Sequence, residues 1–328
     1  MKNNLLFILI FPLIFSCSDL EMVVELDIPP HEPVLVLNGV LDTDTTFSIM
    51  LSHSIGAFDQ GVPVNVSDAE VALYENNQLV GILNQDISNQ DYNYFTGNDN
   101  YYWNNDQDVL SLYSYVSDYT PISNANYRVE VSHPDYSAIS AVSNIPDDID
   151  ISSIEIDTSN IEYSRVSFTF IDDPNKQNFY RVRALGNCYK SSIDDETGEY
   201  ESIFFTLDDR IELNSNDPSL QSEGIPFEGY TFVGDEALFS DVLFDGQQKT
   251  MTFDIDTYFL KWSDCDTLML QFTSFSEDSY IYFNSLQQHS DNGAAGIFGG
   301  EVVPVYSNVE GGLGVLISAN AQSIYFKQ

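Results

Sequence analysis

In NYRVEVSHPDYSAISAVSNIP, residues 126–146, apolar side chains recur at every second position on both sides of a Pro-Asp turn. Tyr127, Val129 and Val131 fall on one face, and Arg128, Glu130 and Ser132 on the other. A period of two belongs to strands, whereas a helix would need 3.6. The alternation returns in TFSIMLSHS (46–54), where Phe47, Ile49, Leu51 and His53 share a face. AEVALYENNQLVGIL (69–83) places two such runs around Glu-Asn-Asn-Gln, which predicts a hairpin. A sheet with one apolar face can bury it only against another layer. Five to seven short strands between residues 33 and 146 therefore predict a β-sandwich.

A second set follows Pro146-Asp147-Asp148. SRVSFTFIDDP (164–174), QNFYRVRALG (177–186), ESIFFTLDDRIEL (201–213) and KTMTFDIDTYFL (249–260) all alternate. One stretch differs. In SFSEDSYIYFNSLQQHSDNG (274–293), Tyr280, Phe283, Leu286 and Gln287 have helical spacing. Ser276 can cap it, Glu277 and Asp278 suit its positive end, and Asn292-Gly293 can close it. The expectation is an all-β protein of two β-sandwich-like domains, of immunoglobulin or fibronectin type, at 33–146 and 147–328. The second carries one short helix near 276–291.

Residues 1–16, MKNNLLFILIFPLIFS, hold one charge, Lys2, and an apolar run from Leu5 to Phe15. That is the length of a signal-peptide core and too short to span a bilayer. Ile14-Phe15-Ser16-Cys17 resembles the lipobox of bacterial lipoproteins, with Phe15 a bulky departure at its second position. The resemblance implies cleavage before Cys17, diacylglycerol on its sulfur and an acyl chain on its amine. Each buried methylene contributes about 0.8 kcal/mol, so several chains hold where one is marginal. Ser18-Asp19-Leu20-Glu21 resembles the Ser-plus-acid tether of surface lipoproteins of the Bacteroidota. Residues 17–32, acidic and proline-bearing, then form a spacer, and the expected location is the outer membrane, facing outward. No other stretch is apolar enough to cross a membrane as a helix.

With 11 Lys and Arg against 51 Asp and Glu, the formal charge is −40. Phosphate backbones would be repelled, which excludes nucleic-acid binding. The pairs Asp147-Asp148, Asp172-Asp173 and Asp208-Asp209 could hold structural calcium, although none sits in an EF-hand loop, and a solvated acidic face is the alternative. Once Cys17 is set aside, Cys188 and Cys265 remain. They suit a disulfide in an oxidising compartment, or two small buried thiols.

Enzyme signatures are absent. His31, His53, His133 and His289 are scattered and there is no HExxH. There is no G-x-S-x-G elbow. EGGLG (310–314) lacks a Walker lysine, so its glycines point to a tight turn or bulge. NQDYNYFTGNDNYYWNNDQD (89–108) interleaves Tyr92, Tyr94, Phe95, Tyr101, Tyr102 and Trp103 with amides and acids. Aromatic faces beside Asn and Asp suit a glycan, and suit a peptide or a structural hairpin equally well. Tyr92, Tyr94, Tyr101, Tyr102 and Trp103 are the candidate ligand-binding residues.

PVLVLNGVL, SDAEVALYEN, ANYRVEVSHPDYSAISAVSNIP, DDPNKQNFYRVRA, LFSDVLFDGQ and VYSNVEGGLGVL, in that order, resemble the Bacteroidota outer-membrane lipoproteins grouped as domain of unknown function 4249. VYSNVEGGLGVL is the most specific of these. The resemblance implies secretion, a lipid anchor and two β-rich domains. It also implies company, because such lipoproteins are often encoded beside TonB-dependent transporters. It brings no catalytic residues. The expected role is a non-catalytic ligand-binding or accessory subunit of a TonB-dependent uptake system for glycan or peptide. The alternative is a structural or assembly subunit of an outer-membrane complex with no small ligand. A hydrolase using scattered carboxylates is the remote third.

Overall fold

The computed structural model describes residues 31–56, 65–86, 114–160, 162–193, 200–220, 231–256, 264–293 and 303–326. They are mostly β, with one α-helix. The first seven strands are β1 (Leu35–Asp42), β2 (Ser48–His53), β3 (Glu70–Glu75), β4 (Gln78–Asp86), β5 (Ser114–Val116), β6 (Ala125–His133) and β7 (Tyr136–Ile145). The next five are β8 (Ile151–Asp157), β9 (Tyr163–Ile171), β10 (Phe179–Ile193), β11 (Tyr200–Ile211) and β12 (Leu213–Ser215). Then come β13 (Phe232–Gly234), β14 (Glu236–Ser240), β15 (Gln248–Asp256), β16 (Asp264–Phe275), helix α1 (Glu277–Gly293), β17 (Val309–Glu310) and β18 (Leu313–Phe326).

The alternating stretches become the strands they predict. The Pro-Asp turn joins β6 to β7, which pair antiparallel down to His133 opposite Tyr136. Asn76 and Asn77 both take positive φ, 48° and 67°, and turn β3 into β4. Two positive-φ residues give the turn twist that matches paired strands, and asparagine tolerates it better than most side chains.

Twelve strands form one mixed path in the order β11-β10-β16-β18-β1-β2-β5-β4-β3-β6-β7-β17, with β14 beside the first part of β10. Five more form the antiparallel sheet β13-β12-β15-β9-β8. Neither closes into a barrel. Strand β4 pairs with β3 and then, from Asn84, with β5, so it passes from one layer to the other. Two cores result. One holds Leu37, Ile49, Leu51, Val71, Leu73, Tyr127 and Val129. The other holds Val166, Phe168 and Phe170 of β9, Met251 and Phe253 of β15, and Tyr180, Leu270 and Phe272 from the facing layer.

Strand β18 joins the halves. Its first half runs parallel to β1, from Val36 opposite Leu313 to Asp42 opposite Ala319. Its second half runs antiparallel to β16, from Ala319 opposite Phe275 to Phe326 opposite Leu268. Polar side chains fix the crossing. Ser318 Oγ donates to the Asn144 carbonyl (2.7 Å), and Asn320 Nδ2 donates to the Pro146 carbonyl (3.1 Å) and to Asp148 (2.9 Å). Helix α1 packs against the same strand. Ser276 is its N-cap: its Oγ accepts the Ser279 N–H (3.3 Å) and its carbonyl accepts the Tyr280 N–H.

Candidate functional site

Asp172, Asp241 and Asp245 are the one set of three metal-ligating side chains that converges among the described residues, with oxygens within 4.8 Å of one another. Asp172 follows β9, and Asp241 follows β14. Both are buried, and Asp245 is exposed. Asp172 Oδ1 accepts from Tyr180 Oη (2.5 Å), and its Oδ2 accepts the Gly246 N–H (2.7 Å). Asp241 Oδ2 accepts the backbone N–H of Asn178 (2.7 Å) and its Nδ2 (3.2 Å). Burial pushes the Asp172 carboxyl above the usual carboxylate range, with Asp241 and Asp245 adding to the push. Tyr180 is raised first by burial and then by its bond to Asp172.

Three convergent carboxylates can hold a hard cation such as calcium. Here the two buried ones already serve the chain. They tie the 241–247 turn to the ends of β9 and β10, over Phe170 and Phe244. Gly246 sits there at φ 67°, where a Cβ would meet Pro174 Cβ at 2.5 Å. In the Asp172-Asp173 and Asp147-Asp148 pairs suggested by sequence, the carboxylates have partners of their own. Asp173 bonds Asn175 and faces Lys176. Asp148 accepts from Asn320. The side chains of Asp208 and Asp209 lie outside those described. Sequence reasoning missed Asp241 because it lies 63 residues from Asn178, the partner that positions it.

The histidines come together more than their spacing suggests. His53 and His133 both lie near Tyr136, with ring centroids 6.2 and 5.1 Å away. His31 Nε2 shares a 2.8 Å hydrogen bond with Ser54 Oγ. That is base-to-nucleophile reach, yet Ser54 Oγ also accepts the Val34 N–H (3.0 Å) and serves a strand end. Among the described residues no carboxylate bonds His31, so the third member of a triad is lacking.

The glycine-rich motif is structural. Asn308 donates to the Leu316 carbonyl and accepts the Leu316 N–H, both at 2.9 Å. Gly314 takes φ 101°, and a Cβ there would land on the Leu37 carbonyl oxygen. Parallel pairing of β1 and β18 needs that close approach. The expected tight turn is present between β17 and β18.

Among the described residues, β8 is an edge of the five-stranded sheet. On the sheet's outer face, Arg165 bonds Asp254 (2.6 Å) and Ser167 bonds Thr252 (2.9 Å) in the exposed part, and buried Thr169 bonds Thr250 (2.7 Å). On its inner face, Ile154 stands opposite Phe168, and Ile156 opposite Val166. Phe168 and Val166 are fully buried, yet Ile154 and Ile156 remain 49% and 42% exposed. Strand β8 pairs with β9 alone among the described strands.

The register sets Cys188 opposite Cys265 on β10 and β16. Cys17 and the aromatic stretch with Tyr92, Tyr94, Tyr101, Tyr102 and Trp103 lie outside the described residues. No described helix is long and apolar enough to cross a membrane, which leaves strand-built crossings untouched. No curated protein and no solved structure matches the chain. A family model does match, over residues 21–324, and by it the chain belongs to the family described as Domain of unknown function (DUF4249).

Proposed function

We propose that the chain works by contact and not by turnover. It is a lipoprotein held at Cys17 on the outer face of the outer membrane, a non-catalytic accessory subunit of a TonB-dependent uptake system for glycan or peptide. The observation that carries this is the edge of β8, where Ile154 and Ile156 belong to the core face but are left uncovered. Monomeric proteins blunt such edges, and an exposed one is a template for an added strand. Acids surround it: Asp148, Asp150, Glu155 and Asp157. A second copy, also at −40, would be repelled. The fitting occupant is an extended segment of the transporter that alternates apolar with basic residues. Tethering both proteins in one membrane raises their effective concentration, so a modest edge suffices.

The finer fold within each half is of immunoglobulin or fibronectin type. Tyr127 supports this, because it stands near the start of β6 and its Oη accepts the Ile122 N–H (2.7 Å), five residues upstream. Such a tyrosine corner recurs in those sandwiches.

Purification from native membranes, followed by identification of associated proteins, tests the proposal. A TonB-dependent transporter should co-purify, and Ile154→Glu with Ile156→Glu should release it while the circular dichroism spectrum and thermal midpoint hold. A chain that purifies without a transporter overturns the uptake role. A stable partner of another kind, with no glycan or peptide binding, favours the assembly subunit.

A further inference from the structure

We infer that Cys188 and Cys265 form a cross-strand disulfide that staples β10 to β16 next to the stretch where, among the described strands, β10 pairs only with β11. The two strands run antiparallel, with Cys188 directly opposite Cys265 and Tyr189 opposite Asp264. Directly opposed residues have Cα atoms about 4.5 or 5.5 Å apart, depending on the pair type. Both separations lie within the roughly 4.4–6.8 Å that a disulfide spans. Residues opposed across a sheet also share a face, so the placement meets both backbone conditions for the bond.

The position explains what the bond does. Strand β16 begins at Asp264, whereas β10 continues to Ile193 and pairs there only with β11, up to Ile193 opposite Tyr200. Beyond Tyr189, among the described residues, the sheet narrows to the two strands β10 and β11. The ladder is also broken there. The β10–β16 register shifts between Asn187 and Cys188, leaving Asp266 without a counterpart, and the β10–β11 register shifts between Ala184 and Gly186. Bulges remove ladder hydrogen bonds and bend the strand. A covalent link at Cys188 holds β10 to β16 beside the bulge that interrupts their ladder, at the last stretch of β10 that β16 accompanies.

The oxidation is a thiol–disulfide exchange. One cysteine thiolate attacks the disulfide of an envelope dithiol oxidase and forms a mixed disulfide. The other thiolate attacks that sulfur, closes the Cys188–Cys265 bond and releases the oxidase as a dithiol. Two electrons pass to the oxidase, and the two thiol protons leave with them. Exposure to such an oxidase rests on the export proposed above.

The test uses the full chain in two settings. In the first, the reduced protein is folded in a glutathione redox buffer, free thiols are alkylated, and the digest is searched by mass spectrometry for a Cys188–Cys265 linked peptide. In the second, the same search is made on protein taken from cells with thiols blocked at lysis. A linked peptide in both settings is expected. Its absence in the redox buffer, with both cysteines alkylated, overturns the disulfide. A link in the buffer, with full alkylation in cells, supports the pairing and overturns export. Reduction should lower the thermal midpoint of the wild type by several degrees. It should leave the Cys188→Ser, Cys265→Ser variant unmoved, and an equal shift in both would overturn the staple.

Discussion

Asn308 grips Leu316 with both ends of its side-chain amide, accepting the N–H and donating to the carbonyl at 2.9 Å each. It reproduces the pairing that a strand residue would give, at a place where the chain has turned away from β18. Replacing it with alanine leaves both backbone groups of buried Leu316 unpaired. Each orphaned group costs about 1–3 kcal/mol, so Asn308→Ala should lower unfolding stability by about 2–6 kcal/mol in urea titration. A loss below about 0.5 kcal/mol would mean that the groups find other partners.

Gly314→Ala should be among the most damaging single-methyl changes in the chain. The added carbon meets the Leu37 carbonyl oxygen, and φ 101° is closed to alanine. A loss on the order of 3 kcal/mol or more is expected in the same titration. Gly81→Ala is the control, since its nearest neighbour would be 3.7 Å away. It should be near neutral.

Tyr127→Phe tests the tyrosine corner. The hydroxyl accepts the Ile122 N–H (2.7 Å) and donates to Glu75 (2.9 Å), so its loss should cost about 1–3 kcal/mol while the apolar ring stays in the core. Thermal melts of the two proteins measure it.

Asp172 predicts a pH dependence. Its folded pKa is raised above the ordinary 3.8, chiefly by burial. The folded state therefore binds the proton more tightly than the unfolded chain does. The stabilisation from protonation is complete below 3.8 and is lost as pH rises through the folded value. Asp157 and Asp173 are shifted downward and contribute in the opposite sense, losing stability as pH falls. The difference in stability between wild type and Asp172→Asn isolates the Asp172 contribution. It should shift against the wild type as pH climbs from about 4, and a difference independent of pH would contradict the assignment.

Local pattern made the strands legible. The alternations at 46–54, 126–146 and 164–171 state both the element and its buried face, because burial acts on each residue where it stands. The α1 cap at Ser276 was equally local. What pattern could not state is which strand lies beside which. Nothing in Val36 names Leu313 as its neighbour, and the joining of the two halves by β18 depends on that pairing. The convergent acids were hidden for the same reason, since Asp172 and Asp241 meet only through the ends of separate strands. The one available signal was the turn chemistry after each strand, an Asp at the exit of both β9 and β14. The open edge of β8 was half visible: Ile154 and Ile156 announce an apolar face, but whether a layer covers it is a tertiary fact.

The split pairing of β18 also governs timing. A chain made from its N-terminus delivers β1 early, yet β1 must wait for Leu313–Ala319 before its second edge is filled. The first half therefore leaves the ribosome with a gap in its sheet. Contacts so remote in sequence form slowly. For that interval β1 presents an unpaired edge, and clipping the chain just before Leu313 would leave both halves permanently incomplete.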